Sequence, residues 1–301
     1  MPRPIADTRT DGWLTLVVDD GPVVEMLWES VDAGEELTKR FAFRDGASTA
    51  AWVADVVERY WQLDVVRCDR VVISGRNVMA WVDAGDRPLI VKWSALPTRF
   101  SRLEDAARLV AWLDAESVPV AAPIAASDGR LLVELANDAK GKLRSRMPLP
   151  GSRFLVGVLP VLEGDLLSVD DPGHVDEAGR MLAVLHQALA GYPGQVGGGG
   201  RGGRKQLVHN DFRSANVLHD GTRISAVLDF EEITYETRAA DIAKAAVLLA
   251  TRYRAWGPTS ESVRAAFVGA YDDQARDPLA TSERREIDTR VATLLKTFGW
   301  T

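Results

Sequence analysis

The stretch His209-Asn210-Asp211-Phe212-Arg213-Ser214-Ala215-Asn216, followed by Asp229 within Val227-Leu228-Asp229-Phe230-Glu231, constrains this chain more than any other feature. A short apolar run, Gln206 to Val208, leads into it. The turn residues His219-Asp220-Gly221-Thr222 then separate Val217-Leu218 from Ile224 to Leu228. A hairpin at that turn folds the chain back and sets Asp229 beside Asn216. Asp211, in the loop after the first strand, is aimed by a rigid element. Two carboxylates and an amide oxygen are thus expected to converge.

That set suits phosphoryl transfer from a nucleotide. The reaction needs a carboxylate at the acceptor hydroxyl and hard oxygen ligands that hold Mg²⁺ against the phosphates. Asp211 is the candidate catalytic residue, positioning the hydroxyl and taking its proton. Asn216 and Asp229 are the candidate metal ligands, the first uncharged and the second anionic. His209 is read as a brace that bonds backbone, and Arg213 as a group that orients the loop carboxylates.

Upstream, the pattern is that of an antiparallel sheet carrying one helix. Strands are predicted from Val71, over 78–82 and 89–93, at 131–135 and over 154–162, with a helix over 99–115. Lys92 is a charge inside the apolar run Leu89-Ile90-Val91-Lys92-Trp93, which is costly unless the ammonium is paired. A nucleotide phosphate would pair it. Its acidic partner is expected on the following helix, at Glu104 or at Asp105, which helical phase does not separate. Ser74 and Gly75 sit in a turn between strands that could cover phosphates. After Glu163-Gly164 the pattern becomes helical, with one helix marked by Met181, Leu182, Leu185 and Leu189 and others over 238–254, 259–274 and 283–297. The order of sheet then helices implies an α+β fold of two lobes.

The opening segment, residues 1–70, reads as a hairpin over 13–30, a short strand over 38–43 and a helix over 48–62, with Ser48 as its cap. It carries no chemical motif. Trp13, Trp28, Trp52 and Trp61 within it read as core residues rather than a binding surface. Residues 71–162 then form an N-lobe and 163–301 a C-lobe. The run from Gly191 to Gly203 is rich in glycine and lacks the Lys-Ser/Thr of a phosphate loop, so it reads as a linker.

Composition narrows the partners. With 36 Lys and Arg against 43 Asp and Glu, the net charge is −7 and the pI near 5.3. This argues against nucleic-acid or anionic-membrane binding and weakly favours a cationic small molecule. One cysteine, Cys68, allows no internal disulfide, which suits a reducing compartment. The first residues lack the apolar core of a secretory signal, no stretch reaches a membrane span, and the cytoplasm is the expected location. His174, His186 and His219 are too scattered for zinc.

The constellation resembles the aminoglycoside phosphotransferase superfamily, a branch of the protein-kinase-like fold that includes choline, homoserine and macrolide kinases. The resemblance runs over residues 71 to 275. It is carried by His209-Asn210-Asp211, Asn216-Val217-Leu218, Val227-Leu228-Asp229-Phe230-Glu231 and Asp241-Ile242-Ala243, with Ala183-Val184-Leu185-His186 and Val118-Pro119-Val120 in support. It implies transfer of a γ-phosphoryl group from ATP or GTP, with Mg²⁺, to a hydroxyl of a small molecule. Asp211 would be the base, Asn216 and Asp229 the metal ligands, Lys92 the phosphate contact, and Pro160, Val161 and Leu162 the nucleotide hinge. Asn210 departs from the usual Gly. The opening segment lies outside the match and is free to shape the cleft or an association surface, so monomer and homodimer both fit. Glu231, Glu232, Glu236, Asp272 and Asp273 place acid near the acceptor lobe, which suggests an aminoglycoside-like or other amino-alcohol acceptor. A homoserine- or choline-type metabolic kinase and a nucleotide-binding pseudokinase are the alternatives.

Overall fold

The computed structural model describes residues 21–75, 77–85, 87–136, 153–197 and 202–300. The expected hairpin over 13–30 and Trp13 lie partly or wholly outside these residues, as does part of the glycine-rich run.

The first half builds a six-stranded sheet. Its strands are β1 (Val23–Met26), β2 (Arg67–Ile73), β3 (Asn77–Ala84), β4 (Arg87–Ser94), β5 (Val133–Ala136) and β6 (Arg153–Pro160), in the order β1-β2-β3-β4-β6-β5. All neighbours are antiparallel except β1, which runs parallel to β2 with Val24 opposite Val71. Alternation along β4 buries Leu89, Val91 and Trp93 and turns Ile90 and Lys92 to the other face.

Against the buried face pack α1 (Ala33–Phe41) and α2 (Gly46–Trp61). The strand expected over 38–43 is instead the end of α1. Asp32 accepts from the Glu35 N–H, Leu37 and Phe41 bury one side at helical spacing, and Arg40 pairs back to Glu36. Asp45, rather than Ser48, caps α2; Ser48 closes the capping box. Trp52 is fully buried among Phe43, Trp93 and Phe154, with ring centroids 5.1 to 5.5 Å away. Trp61 is buried and donates to the Ile124 carbonyl at 2.8 Å, whereas Trp28 is 41% exposed.

Helix α3 (Phe100–Ala115) joins the halves, burying Leu109, Val110 and Leu113 in the second core. That second half holds β7 (Asp165–Leu166), α4 (Pro172–Gly191), β8 (Lys205–Val208), β9 (Val217–His219), β10 (Ile224–Val227), β11 (Thr234–Thr237), α5 (Arg238–Leu248), α6 (Glu261–Gln274) and α7 (Thr281–Thr297). Strands β10, β9 and β7 form one small sheet, and β11 pairs with β8. Helix α4 crosses α6 so closely that a Cβ on Gly179 would lie 2.4 Å from the Phe267 carbonyl oxygen, so only glycine fits there. Helix α5 stops at Leu248, short of the expected 254, because Thr251 turns back onto the Leu248 carbonyl and Thr259 takes the Ala250 N–H. The fold is α+β, an antiparallel-rich lobe beside a mainly helical one. Among the described residues no helix is long and apolar enough to cross a membrane.

Candidate active site

The expected hairpin forms. Val217 lies opposite Val227, and the Leu228 N–H donates to the Asn216 carbonyl at 2.8 Å, so Asp229 follows directly from the strand beside Asn216. Asp229 adopts φ 58°, ψ 70°, a left-handed conformation that a non-glycine residue holds only where the surroundings impose it.

His209 ties the two carboxylate segments together. It is fully buried, its Nδ1 accepts from the Asp211 N–H at 3.2 Å, and its Nε2 donates to the Leu228 carbonyl at 3.0 Å. Burial pushes its pKa below the ordinary histidine value, against the pull of Asp241, Asp211 and Asp229. The ring is therefore neutral, and the two partners fix its tautomer. It braces the loop, as read from the sequence.

The Asp211 side chain is flanked by two donors. Asn216 Nδ2 reaches its Oδ2 and its carbonyl, both at 2.8 Å, and Arg213 Nε lies 3.3 Å away. The two donors fix the rotamer of the carboxylate. They also turn the Asn216 amide so that its oxygen points away from Asp211.

Lys92 faces this group from β4. Its Nζ lies 3.6 Å from Asp229 Oδ1 and 2.6 Å from Glu231 Oε1. Burial works to lower the lysine pKa, but Glu231 and Asp229 outweigh it and hold the ammonium above its ordinary value. Glu231 is thus the acid facing Lys92, in place of Glu104 or Asp105. The reason lies in the phase of α3. Arg99 and Arg102 point from its start to the 230–233 turn, where they hold the Glu231 and Ile233 carbonyls and the Glu232 carboxylate. Glu104 is two residues past Arg102 and so faces elsewhere, and Asp105 accepts from Gly197 N–H and Arg108. Glu231 also accepts from Asn77 Nδ2 at 2.7 Å.

The Ser74–Asn77 turn is tight, with Ser74 Oγ bonded to the Asn77 backbone and Gly75 beside Trp28. Pro160 ends β6, and Val161 N–H donates to the Pro88 carbonyl at 3.2 Å. Val161 and Leu162 then lead to Gly164, whose φ of 130° and closeness to the His219 carbonyl admit no side chain.

A second layer escaped the sequence reading. Asn210 holds φ 63°, a left-handed conformation that Asn tolerates. Its N–H donates to Asp241 at 2.8 Å, its Nδ2 to the Glu232 carbonyl, and Lys244 reaches its two oxygens. Asp241, buried, also meets His186 Nε2 at 2.9 Å, and His186 Nδ1 meets the Tyr271 hydroxyl at 2.9 Å. Burial would raise the Asp241 pKa, but His186, His209 and the Asn210 N–H hold it down. Thr237, and not Asp241, caps α5. The His174 and His219 rings lie 3.9 Å apart, tilted by 34°, despite their distance in sequence, yet no three His, Cys, Asp or Glu among the described residues gather as a metal site.

Residues 193–281, which hold Asp211, Asn216 and Asp229, match the family model of the phosphotransferase enzyme family. The match takes in less than a third of the chain. The chain's fold is shared with solved kinases of low identity. Amicoumacin kinase, in complex with AMP-PNP and Ca²⁺, is 12% identical with a TM-score of 0.61, covering 80% of this chain and 85% of that one. The microcompartment-associated aminopropanol kinase is 16% identical with a TM-score of 0.58, covering 83% and 88%. Macrolide 2′-phosphotransferase from Brachybacterium faecium is 18% identical with a TM-score of 0.52, covering 81% and 90%. No curated protein matches the chain.

Proposed function

We propose that this protein is a phosphotransferase that moves the γ-phosphoryl group of ATP or GTP to a hydroxyl of a small molecule, with Asp211 as base. The observation that carries this is the convergence of Asp211, Asn216, Asp229 and Lys92 through His209 and the β9–β10 hairpin. The three kinases of similar fold act on small molecules, which agrees.

The donor set fits a divalent ion. Asn216 and Asp229 offer hard oxygens, and Mg²⁺ takes one or two protein oxygens together with substrate phosphates and water. Bound there, the ion would neutralise charge on the phosphates. Lys92 would contact a phosphate, the Ser74–Gly75 turn would cover the chain of phosphates, and Pro160, Val161 and Leu162 would border the base. Asp211 accepts the hydroxyl proton as the acceptor oxygen bonds to phosphorus and the bond to the leaving diphosphate breaks. Arg213 and Asn216 hold the carboxylate for that transfer. A single cysteine and the acidic balance suit the cytoplasm.

Titrating AMP-PNP into the protein with and without Mg²⁺, for wild type and Asp229→Ala, tests this reading. Metal-dependent binding in wild type and its loss in Asp229→Ala are expected. Metal-independent binding, equal in the variant, would remove Asp229 from the site.

A further inference from the structure

The segment between α5 and α6 is tied to the loop that carries Asp211 and Asn216. Arg252 donates to the Leu167 carbonyl at 2.7 Å, Tyr253 donates to the Ala215 carbonyl at 3.1 Å, and Arg254 reaches across to the Met26 carbonyl of β1 at 3.3 Å. Trp256 follows and is 55% exposed. It packs against Phe298 and Trp300 at the end of α7, with centroids 6.3 and 6.2 Å away, and those two rings lie 4.8 Å apart. Phe298 is itself 37% exposed. Single exposed aromatics are ordinary, whereas here three rings gather at one place near the surface.

Arg213 connects that face to the chemistry. Its Nε lies 3.3 Å from Asp211, and its guanidinium lies over the Trp256 ring at 5.7 Å. One side chain therefore separates the aromatic face from the catalytic carboxylate. The cation position over Trp256 is already filled by Arg213, and Arg252 and Arg254 stand nearby in the chain. Four of the five acids that suggested a cationic acceptor are engaged elsewhere. Glu231 is held by Lys92 and Asn77, Glu232 by Arg99, Glu236 by the Thr237 N–H, and Asp272 by Arg284 and the Leu279 N–H.

We propose that Trp256, backed by Phe298 and Trp300, seats the non-reacting part of the acceptor, and that this acceptor is a neutral or anionic hydroxyl compound with an extended apolar face. The inference rests on the phosphotransferase reading and names the substrate class for it. An apolar face laid on Trp256 holds the hydroxyl beside Asp211, while a polycation would be repelled by Arg213.

The test is calorimetry on the full chain with AMP-PNP and Mg²⁺ present. The probes are neutral p-nitrophenyl β-D-glucoside, anionic p-nitrophenyl β-D-glucuronide and the polycationic amino sugar kanamycin. At least one aryl glycoside is expected to bind more tightly than kanamycin, and Trp256→Ala to weaken it about ten-fold. Trp256→Phe is expected to restore most of that loss, with the AMP-PNP affinity equal in all three proteins. Tighter binding of kanamycin, no binding of either glycoside, or an aryl glycoside affinity indifferent to Trp256→Ala overturns the proposal. Failure of AMP-PNP to bind wild type with Mg²⁺ would strike the phosphotransferase reading itself, and this inference with it.

Discussion

Lys92 Nζ lies 2.6 Å from Glu231 and 3.6 Å from Asp229, so one ammonium on the first lobe holds two carboxylates of the second. The pair spans the cleft, and a nucleotide phosphate entering beside Lys92 would share it with Glu231. Lys92→Ala is expected to raise the nucleotide KM about ten-fold or more, the scale of a charge-assisted hydrogen bond. Steady-state kinetics at varied nucleotide checks this; an unchanged KM would place the phosphates elsewhere.

The left-handed Asn210 makes a graded prediction. Asn210→Gly keeps the backbone conformation and the Lys244 bond to its carbonyl but loses the side-chain bonds to Glu232 and Lys244, so urea unfolding should show a loss of about 1 kcal/mol. Asn210→Val adds a β-branched strain at positive φ and is expected to cost about 1–2 kcal/mol more.

The buried His186–Asp241 contact is the larger stake. Asp241 supports Asn210 directly, and removing its charge leaves His186 and the Asn210 N–H without their acceptor. Asp241→Ala is expected to lose about 3 kcal/mol or more, seen as a fall in Tm, because breaking a buried pair strands its partner. A wild-type Tm would show that the second layer bears no weight.

Strong acid should loosen the α5–α7 contact. The Arg238 guanidinium, against the cost of burial, holds Glu283 down to about 2, below its ordinary 4.5. A depressed carboxylate contributes stability that is present above its unfolded pKa and lost as pH falls through the folded value. The contribution of Glu283 therefore disappears between about pH 4.5 and pH 2. Glu283→Gln should be less stable than wild type at pH 7 and should lose less on acidification over that window, measured by unfolding at stepped pH.

The candidate loop and its hairpin were legible because the residues proposed for the chemistry lie within one short stretch, where turn residues and alternation set the geometry. Lys92 was legible because a charge in an apolar strand must find a partner. The identity of that partner was not, since it depends on which face of α3 meets the 230–233 turn, and Arg99 and Arg102 decide that across the lobes. Short apolar runs are ambiguous for the same reason at α1, where Asp32 and the Leu37–Phe41 spacing favour a helix over the expected strand. A sequence shows charges and not the groups that pair with them, so the engagement of Glu231, Glu232 and Asp272 by Lys92, Arg99 and Arg284 was not legible. Trp256, Phe298 and Trp300 join only when α7 folds back beside the 252–257 segment.

The central claim is that Asp211 takes the proton of a hydroxyl as phosphorus is transferred to it. ADP release coupled to a hydroxyl acceptor, compared between wild type and Asp211→Ala at saturating nucleotide, measures this directly. Turnover is expected to fall by about 10²-fold or more with nucleotide affinity little changed. Equal turnover in the variant would contradict the account.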